Sequence, residues 1–393
     1  MQLDTTFEIR NDDVDSASWG AVIAMSLTAF ALVASEFMPV SLLTPIAADL
    51  SVTEGQAGQA ISVSGIFAVV TSLLIASLVK TADRKTVLLS FTGLMMLSGA
   101  IVAFASNYLM FMVGRALLGV VIGGFWSMSA ATTMRLVPPL QVPQALAILN
   151  GGNALAMVLG APLGSYLGSL IGWRGAFFCI VPVAGIVFVW KLITLPPMRP
   201  EAKPGTSNPL KLLAREPVAW GMLAASLFFM GHFSLFTYLR PFLERVTQVD
   251  VSTLSLFLLM MGGMGFLGTM LIGPFLKKGL GIILIIIPLA MAVIAGCLIV
   301  LGSSVSSTAI SLALWGLLGT SAPAAWWAWV AKSMPRDAEA GGGLMVAVSQ
   351  LSITLGAVVG GIAFDASGYQ ATFGMSCALL LASGLLASLK GIR

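Results

Sequence analysis

The sequence predicts an all-α membrane protein of twelve transmembrane helices, arranged as two pseudo-symmetric six-helix bundles. Three observations carry this. Hydrophobic residues make up 58% of the chain and charged residues only 9%, against about 25% charged in soluble domains. Apolar runs long enough to cross a bilayer as a helix, about 20 residues each, recur along the whole chain. Residues of the first half reappear in the second at a constant offset.

The first seventeen residues carry five acids, Asp4, Glu8, Asp12, Asp13 and Asp15, and one base, Arg10. A secretory leader opens on a basic flank, so residues 1–18 are read as a cytoplasmic tail and the first span as retained. Spans are expected at 19–45, 57–79, 86–106, 108–134, 144–171 and 175–195, then at 217–242, 252–275, 281–302, 307–332, 341–365 and 369–389. The breaks fall at Pro, Gly or clustered charge. The longest, 196–216, reads PPMRPEAKPGTSNPLKLLARE. It is a cytoplasmic linker between an N-terminal bundle, 19–195, and a C-terminal bundle, 217–393.

With the N-terminus inside, sixteen of the twenty Lys and Arg fall on the cytoplasmic side, Lys191 among them. Three (Arg174, Arg240 and Arg245) fall outside, and Arg115 lies within a span. Basic residues collect on the cytoplasmic side of membrane proteins, so both termini are placed there. GWRGAFF at 172–178 and GYQATFG at 368–374 are 196 residues apart, as are Gly164 and Gly360, and Pro139 and Pro335. The chain therefore reads as a duplicated six-helix unit. A net charge of +4 gives no basis for nucleic-acid binding. Cys179, Cys297 and Cys377 all lie in apolar runs and read as packing residues.

Glu36 is the one acid well inside a predicted span; Asp365 sits at an outer edge. Nine residues separate Glu36 from Pro45, or about 14 Å of helix. Arg115, in RALLGVVIGG at 115–124, shares a face with Gly119 and Gly123 at a depth of roughly 10 Å. A charge at that depth needs a partner, water or the interface. A Glu36–Arg115 pairing, direct or through water, puts a titratable group and a cation together; arriving cargo would change their balance and release a proton. A purely structural pair is the alternative. Small residues recur every four positions in the fifth span, from Gly152 through Gly160 and Gly164 to Gly172, with Pro162 bending the helix. Such a stripe serves close helix packing or a flexing contact between the halves.

His232, the sole histidine, sits mid-span and suits hydrogen bonding to substrate or to a neighbouring helix; one histidine makes no metal site. Tyr238 lines the same cavity or belongs to the outer aromatic belt. Further polar or aromatic side chains at membrane depth are Trp126, Ser127, Ser129, Asn150, Asn153, Trp326, Trp327, Trp329 and Gln350. Amides bond sugars or bases, and indoles stack on flat rings. Trp126, Ser127, Asn150, Asn153, His232, Tyr238, Trp326 and Gln350 are the candidate substrate contacts.

These stretches resemble the drug:proton antiporter branch of the major facilitator superfamily, and within it the bacterial purine ribonucleoside efflux permeases, with arabinose-type sugar efflux permeases next. The carriers are SEFMPVSLLTPIAADL (35–50), GGFWSMSAATTMRLVPP (123–139), APLGSYLGSLIGWR (161–174) and FTYLRPF (236–242). Arg115, Gly119 and Gly123 look like the family's helix 4 pattern. GAPLG at 160–164 looks like its antiporter signature in helix 5, through Gly160, Pro162 and Gly164, with Ala161 departing. KTADRKTVLL at 80–89 resembles its cytoplasmic loop, in which Asp83 and Arg84 would latch the halves; Val79 stands in place of the leading glycine.

The resemblance implies alternating-access export of purine ribonucleosides such as inosine and guanosine across the bacterial inner membrane, against inward proton flow. Sugars or multiple drugs are the alternative cargo. It implies Glu36 and Arg115 as the proton-coupling pair, no cofactor beyond the proton gradient, small-molecule, proton and lipid partners, no nucleic acid, and a monomer. No G-x-x-x-x-G-K-[ST] loop for an ATP-driven pump occurs, nor an H-E-x-x-H metal motif. A channel fits a duplicated chain with one embedded acid less well than a carrier.

Overall fold

The computed structural model describes residues 17–79, 82–198, 209–334 and 338–389. Most of the tail and linker, together with Lys80, Pro335 and Arg336, lie outside the described residues. The described chain is helical throughout its spans. In order these are α1 (Trp19–Leu50), α2 (Glu54–Leu78), α3 (Arg84–Ala103) and α4 (Tyr108–Met134). Next come α5 (142–171), α6 (173–194) and α7, which runs Glu216–Thr237 and continues irregularly to Thr247. The set closes with α8 (251–278), α9 (280–301), α10 (Val305–Ser333), α11 (338–367) and α12 (369–389).

Three of the connections are single residues rather than loops. Gly172 and Gly368 both take φ of +74°, a left-handed backbone that costs glycine nothing and strains any residue bearing a Cβ. They stand at the repeat offset, so α5–α6 and α11–α12 turn alike. Gly279 breaks α8 from α9 with an extended φ of −166°. Elsewhere side chains start the helices. Thr53 and Gln56 form a reciprocal capping box on α2. Asp83, Asn107 and Asp250 accept backbone amides at the starts of α3, α4 and α8.

The buried apolar residues form two large clusters. One draws almost wholly on α1–α6, the other on α7–α12. The halves meet along α2–α11, α5–α8 and α1–α7. On the face where α1 ends and α2 begins, the distal face, side chains bond the two halves together. There Asp365 of α11 accepts from the Thr53 hydroxyl at 2.5 Å and the Gly55 amide at 3.0 Å. A carboxylate at a helix N-terminus takes orphan amides and the positive end of the dipole together. Arg245 pairs with Glu54 beside it. Deeper, Ser62 of α2 donates to the Thr354 carbonyl of α11 at 3.1 Å.

Candidate functional site

The site is built on a helix that its own sequence interrupts. α1 carries Pro39 and Pro45. Proline has no N–H, so each leaves the carbonyl four residues earlier without its helical donor. For Pro39 that carbonyl belongs to Ser35. Arg115 of α4 supplies the missing donor: its guanidinium donates to the Ser35 carbonyl at 2.7 Å and to that of Glu36 at 2.8 Å. The same group reaches α2, donating to the Ala60 carbonyl at 3.1 Å and the Ser64 hydroxyl at 3.2 Å. Gly119 and Gly123 bring it there, because a side chain at either would run into α2; at Gly123 it would stand 3.0 Å from the Ala68 Cα. Arg115 is fully buried, and its hydrogen bonds go to neutral oxygens.

Glu36 is buried too, at 5% exposure, fourteen residues or about 21 Å from the distal end of α1. The expected Glu36–Arg115 contact exists through the Glu36 backbone carbonyl; among the described residues the two side chains form no ion pair. The carboxylate turns instead to the other half, where the Gln350 amide of α11 approaches Oε1 at 3.5 Å. A buried acid so loosely satisfied can exchange a proton or a partner without dismantling its surroundings.

Beside Glu36, Phe37 crosses the same divide. Its ring stacks on Phe233 of α7, centroids 5.4 Å apart, and meets Phe236 edge-on at 6.3 Å. His232 sits in this cluster, stacked on Trp315 at 5.4 Å and Phe236 at 5.7 Å. Its Nδ1 and the Trp315 Nε1 are buried without hydrogen-bond partners. On the N-terminal side, Phe30, Phe37, Trp126 and Met157 pack around Val33, Ala34 and Ala156, and half-buried Asn153 lies on α5 nearby. The arrangement joins a carboxylate, an amide, an imidazole and stacked aromatic faces where four helices of two halves meet.

Several expected residues have other tasks. Tyr238 is fully buried, donates to the Ala357 carbonyl at 2.8 Å and stacks on Phe364. Its phenol lies against Gly58 and Gly361, wedged into the α2–α11 seam between the halves. Trp326 is buried with Phe228, Ile287 and Pro288 inside the C-terminal bundle, and Trp329 covers Gly221. Ser127 donates to its own helix at Gly123, and Asn150, exposed, to Leu146.

The small-residue stripe of α5 packs within its own half. Gly160 faces Ala34 and Gly164 faces Ser41 and Met38, all on α1, across the bend at Pro162. Between halves, α5 meets α8 instead: Gly262 lies against Val158, and Ser255 donates to Ser165 at 2.9 Å. Asp83 caps α3, and the Arg84 amide donates to the Met198 carbonyl at 3.0 Å. Lys191, counted above with the cytoplasmic bases, is wholly buried in the N-terminal bundle. Its Nζ donates to Thr92 at 3.0 Å and lies 5.4 Å from the Phe125 ring centre.

Phe37, Phe233 and Phe236 do not stand out in the sequence, because phenylalanines in an apolar run carry no signal of their own. The two prolines of α1 are a signal that was available, since each marks a carbonyl in need of a donor.

Comparison with known proteins agrees with this architecture. Residues 25–342 match the model of the Major Facilitator Superfamily. A Pseudomonas aeruginosa protein named transcription regulatory protein OpdE is 60% identical over 375 residues, 94% of this chain and 93% of its own. The purine ribonucleoside efflux pump NepI of Salmonella typhimurium is 38% identical over 383 residues, 98% and 96% of the two chains. In fold, a bacterial homologue of the human lysosomal transporter Spinster, inward-facing and unoccupied, superposes with TM-score 0.76 at 16% identity over 96% of each chain. A mutant of the nucleoside transporter NupG gives TM-score 0.76 at 14% identity, over 96% of this chain and 99% of that one. This chain is a multi-pass, non-enzymatic membrane transporter belonging to the major facilitator superfamily.

Proposed function

We propose that this transporter exports purine ribonucleosides, such as inosine and guanosine, in exchange for protons. The observation that carries the reading is Glu36, buried near the middle of α1 and facing the Gln350 amide of the opposite half. A purine offers a flat ring for the Phe37–Phe233–Phe236 faces and polar edges for Gln350, Asn153 and His232. Cargo drawing Gln350 away leaves the Glu36 carboxylate to cargo alone; a proton reaching Glu36 neutralises it and loosens that hold. A neutral acid crosses the closed state at less cost than a charged one. Exchange follows from this alternation. The 38% identity to NepI supports the same cargo.

In this reading the chain lies in the bacterial inner membrane as a monomer with both termini cytoplasmic, and the proton gradient is its only energy source. The sealed distal face is then the outside. Halves 19–195 and 217–393, joined by the linker 196–216, rock against each other. Asp83 and Arg84 serve as the cytoplasmic latch, and the α5 bend at Gly160, Pro162 and Gly164 transmits the movement to α1. The regulatory name of the 60%-identical relative is compatible with transport: an exporter sets the internal level of its solute, and so of any inducer derived from it.

A thermal-shift screen of the purified protein tests the cargo. A ligand at 100 times its Kd stabilises by about 2.7 kcal/mol. Stabilisation by inosine and guanosine, with substrate-driven proton movement in proteoliposomes, supports the proposal. Stabilisation by pentoses or amphiphilic drugs alone moves the cargo to sugars or drugs.

A further inference from the structure

The second proline of α1 repeats the arrangement of the first, with one difference. Pro45 has no N–H, so the carbonyl of Ser41 lacks its helical donor. As with Ser35, an arginine takes it. Here the donor is Arg240, which belongs to α7 in the opposite half. Arg240 is 7% exposed. Its Nε donates at 2.7 Å to Glu244, one turn further on, which fixes the guanidinium while NH1 points at α1. Thus the two broken turns of one helix are completed by two arginines, one that stays with α1 and one that travels with the other half.

We propose that Arg240 is a positioning residue of the transport cycle: it holds the distal gate shut by completing the α1 helix at the carbonyl that Pro45 leaves open. When the halves part at that face, the Ser41 carbonyl is exposed to water and Arg240 leaves with Glu244. The bond is made by the closed state alone, so it sets the balance between the two states rather than the stability of either half. A backbone acceptor suits this task, since its strength does not depend on the protonation that drives Glu36. The inference rests on alternating access and not on the identity of the cargo.

The test uses the full-length protein with its three cysteines replaced by alanine and a reporter cysteine at Ile61. Ile61 is 1% exposed and lies on α2 against the core of the other half. Labelling by a water-soluble maleimide, without substrate, reports parting of the halves. Arg240→Gln is expected to raise the labelling rate about tenfold, the effect of losing one charge-assisted hydrogen bond from the closed state. Pro45→Ala returns an N–H to α1 for the Ser41 carbonyl. The carbonyl can still accept from Arg240, as those of Glu36 and Ala60 accept from Arg115 beside their helical amides, but it no longer depends on that donor. Pro45→Ala is therefore expected to raise labelling by less than Arg240→Gln does while leaving thermal stability intact, which a merely structural role for Arg240 would not produce. The double variant is expected to label no faster than the faster single variant. Wild-type labelling in Pro45→Ala, or effects that multiply in the double variant, would overturn the proposal. Because Pro45→Ala adds a bond to its helix, it decides the matter even if Arg240→Gln fails to fold. A different cargo leaves every one of these outcomes unchanged.

Discussion

Replacing Arg115 by alanine removes four hydrogen bonds, but their losses are unequal. The carbonyls of Glu36 and Ala60 keep the amides of Val40 and Ser64 in the normal helical pattern, and the Ser64 hydroxyl also donates within its own helix, at 2.9 Å to the Ile61 carbonyl. Only the Ser35 carbonyl is left with nothing, because residue 39 is proline. A buried acceptor without a donor costs about 1–3 kcal/mol. Loss of the charge-assisted bonds that tie α4 to α1 and α2 brings the total to about 3 kcal/mol. Lysine, a point donor without the fork, is expected to recover about half of that. Denaturant titration in mixed micelles measures the difference.

Pro39→Ala in the Arg115→Ala background supplies the missing amide and should restore at least 1 kcal/mol or so. Transport should fall further in Arg115→Ala than in Arg115→Lys, and Pro39→Ala should not restore it, because the cation near Glu36 is still absent. Wild-type stability in Arg115→Ala, or no recovery with Pro39→Ala, would refute the idea that the arginine stands in for a backbone donor.

Glu36→Gln preserves shape and burial but has nothing to titrate. It should bind cargo and fold normally while proton release on cargo addition disappears; persistence of that release rules out Glu36 as the proton carrier. His232→Ala removes a ring stacked on Trp315 and Phe236, and should weaken cargo binding by up to about tenfold with proton coupling retained. An isotherm matching wild type would exclude His232 from recognition. Asp365→Ala strips the N-terminus of α2 of its carboxylate partner. Spin labels at Val52 and Val249 should then show a longer distance distribution, and an unchanged distribution would mean that the distal seal does not depend on this contact.

Much of the fold was legible because lipid imposes a coarse rule. A span must be long and apolar, and charge must mark its ends, so helices such as α4 and α12 were placed to the residue. Boundaries drifted where proline or a cap intervened. α1 runs past Pro45 to Leu50, since an arginine replaces the lost bond, and α2 begins at Glu54 because Thr53 and Gln56 cap it.

The site was legible where chemistry is rare. A lone acid and a lone arginine at depth announce themselves, and Glu36 and Arg115 do lie at one crossing. Their contact through a carbonyl was not legible, because composition says nothing of backbone acceptors. The packing of Tyr238 in a seam and of Trp326 in a core was not legible for a related reason: an aromatic ring at mid-depth serves a seam or a core as readily as a cavity, and only the partner helix decides. Lys191 misled through position, since three residues from a helix end suffice to bury an ammonium when α3 offers a hydroxyl and α4 a ring.

The glycine corners at 172 and 368 have a mechanical consequence. Each fastens two spans at a single residue, with no slack between them. Neither member can slide along the membrane normal or roll far about its own axis without dragging its mate. The smallest mobile unit in those regions is a two-stroke hairpin instead of a free rod, which leaves fewer independent ways for the carrier to leak while it turns over.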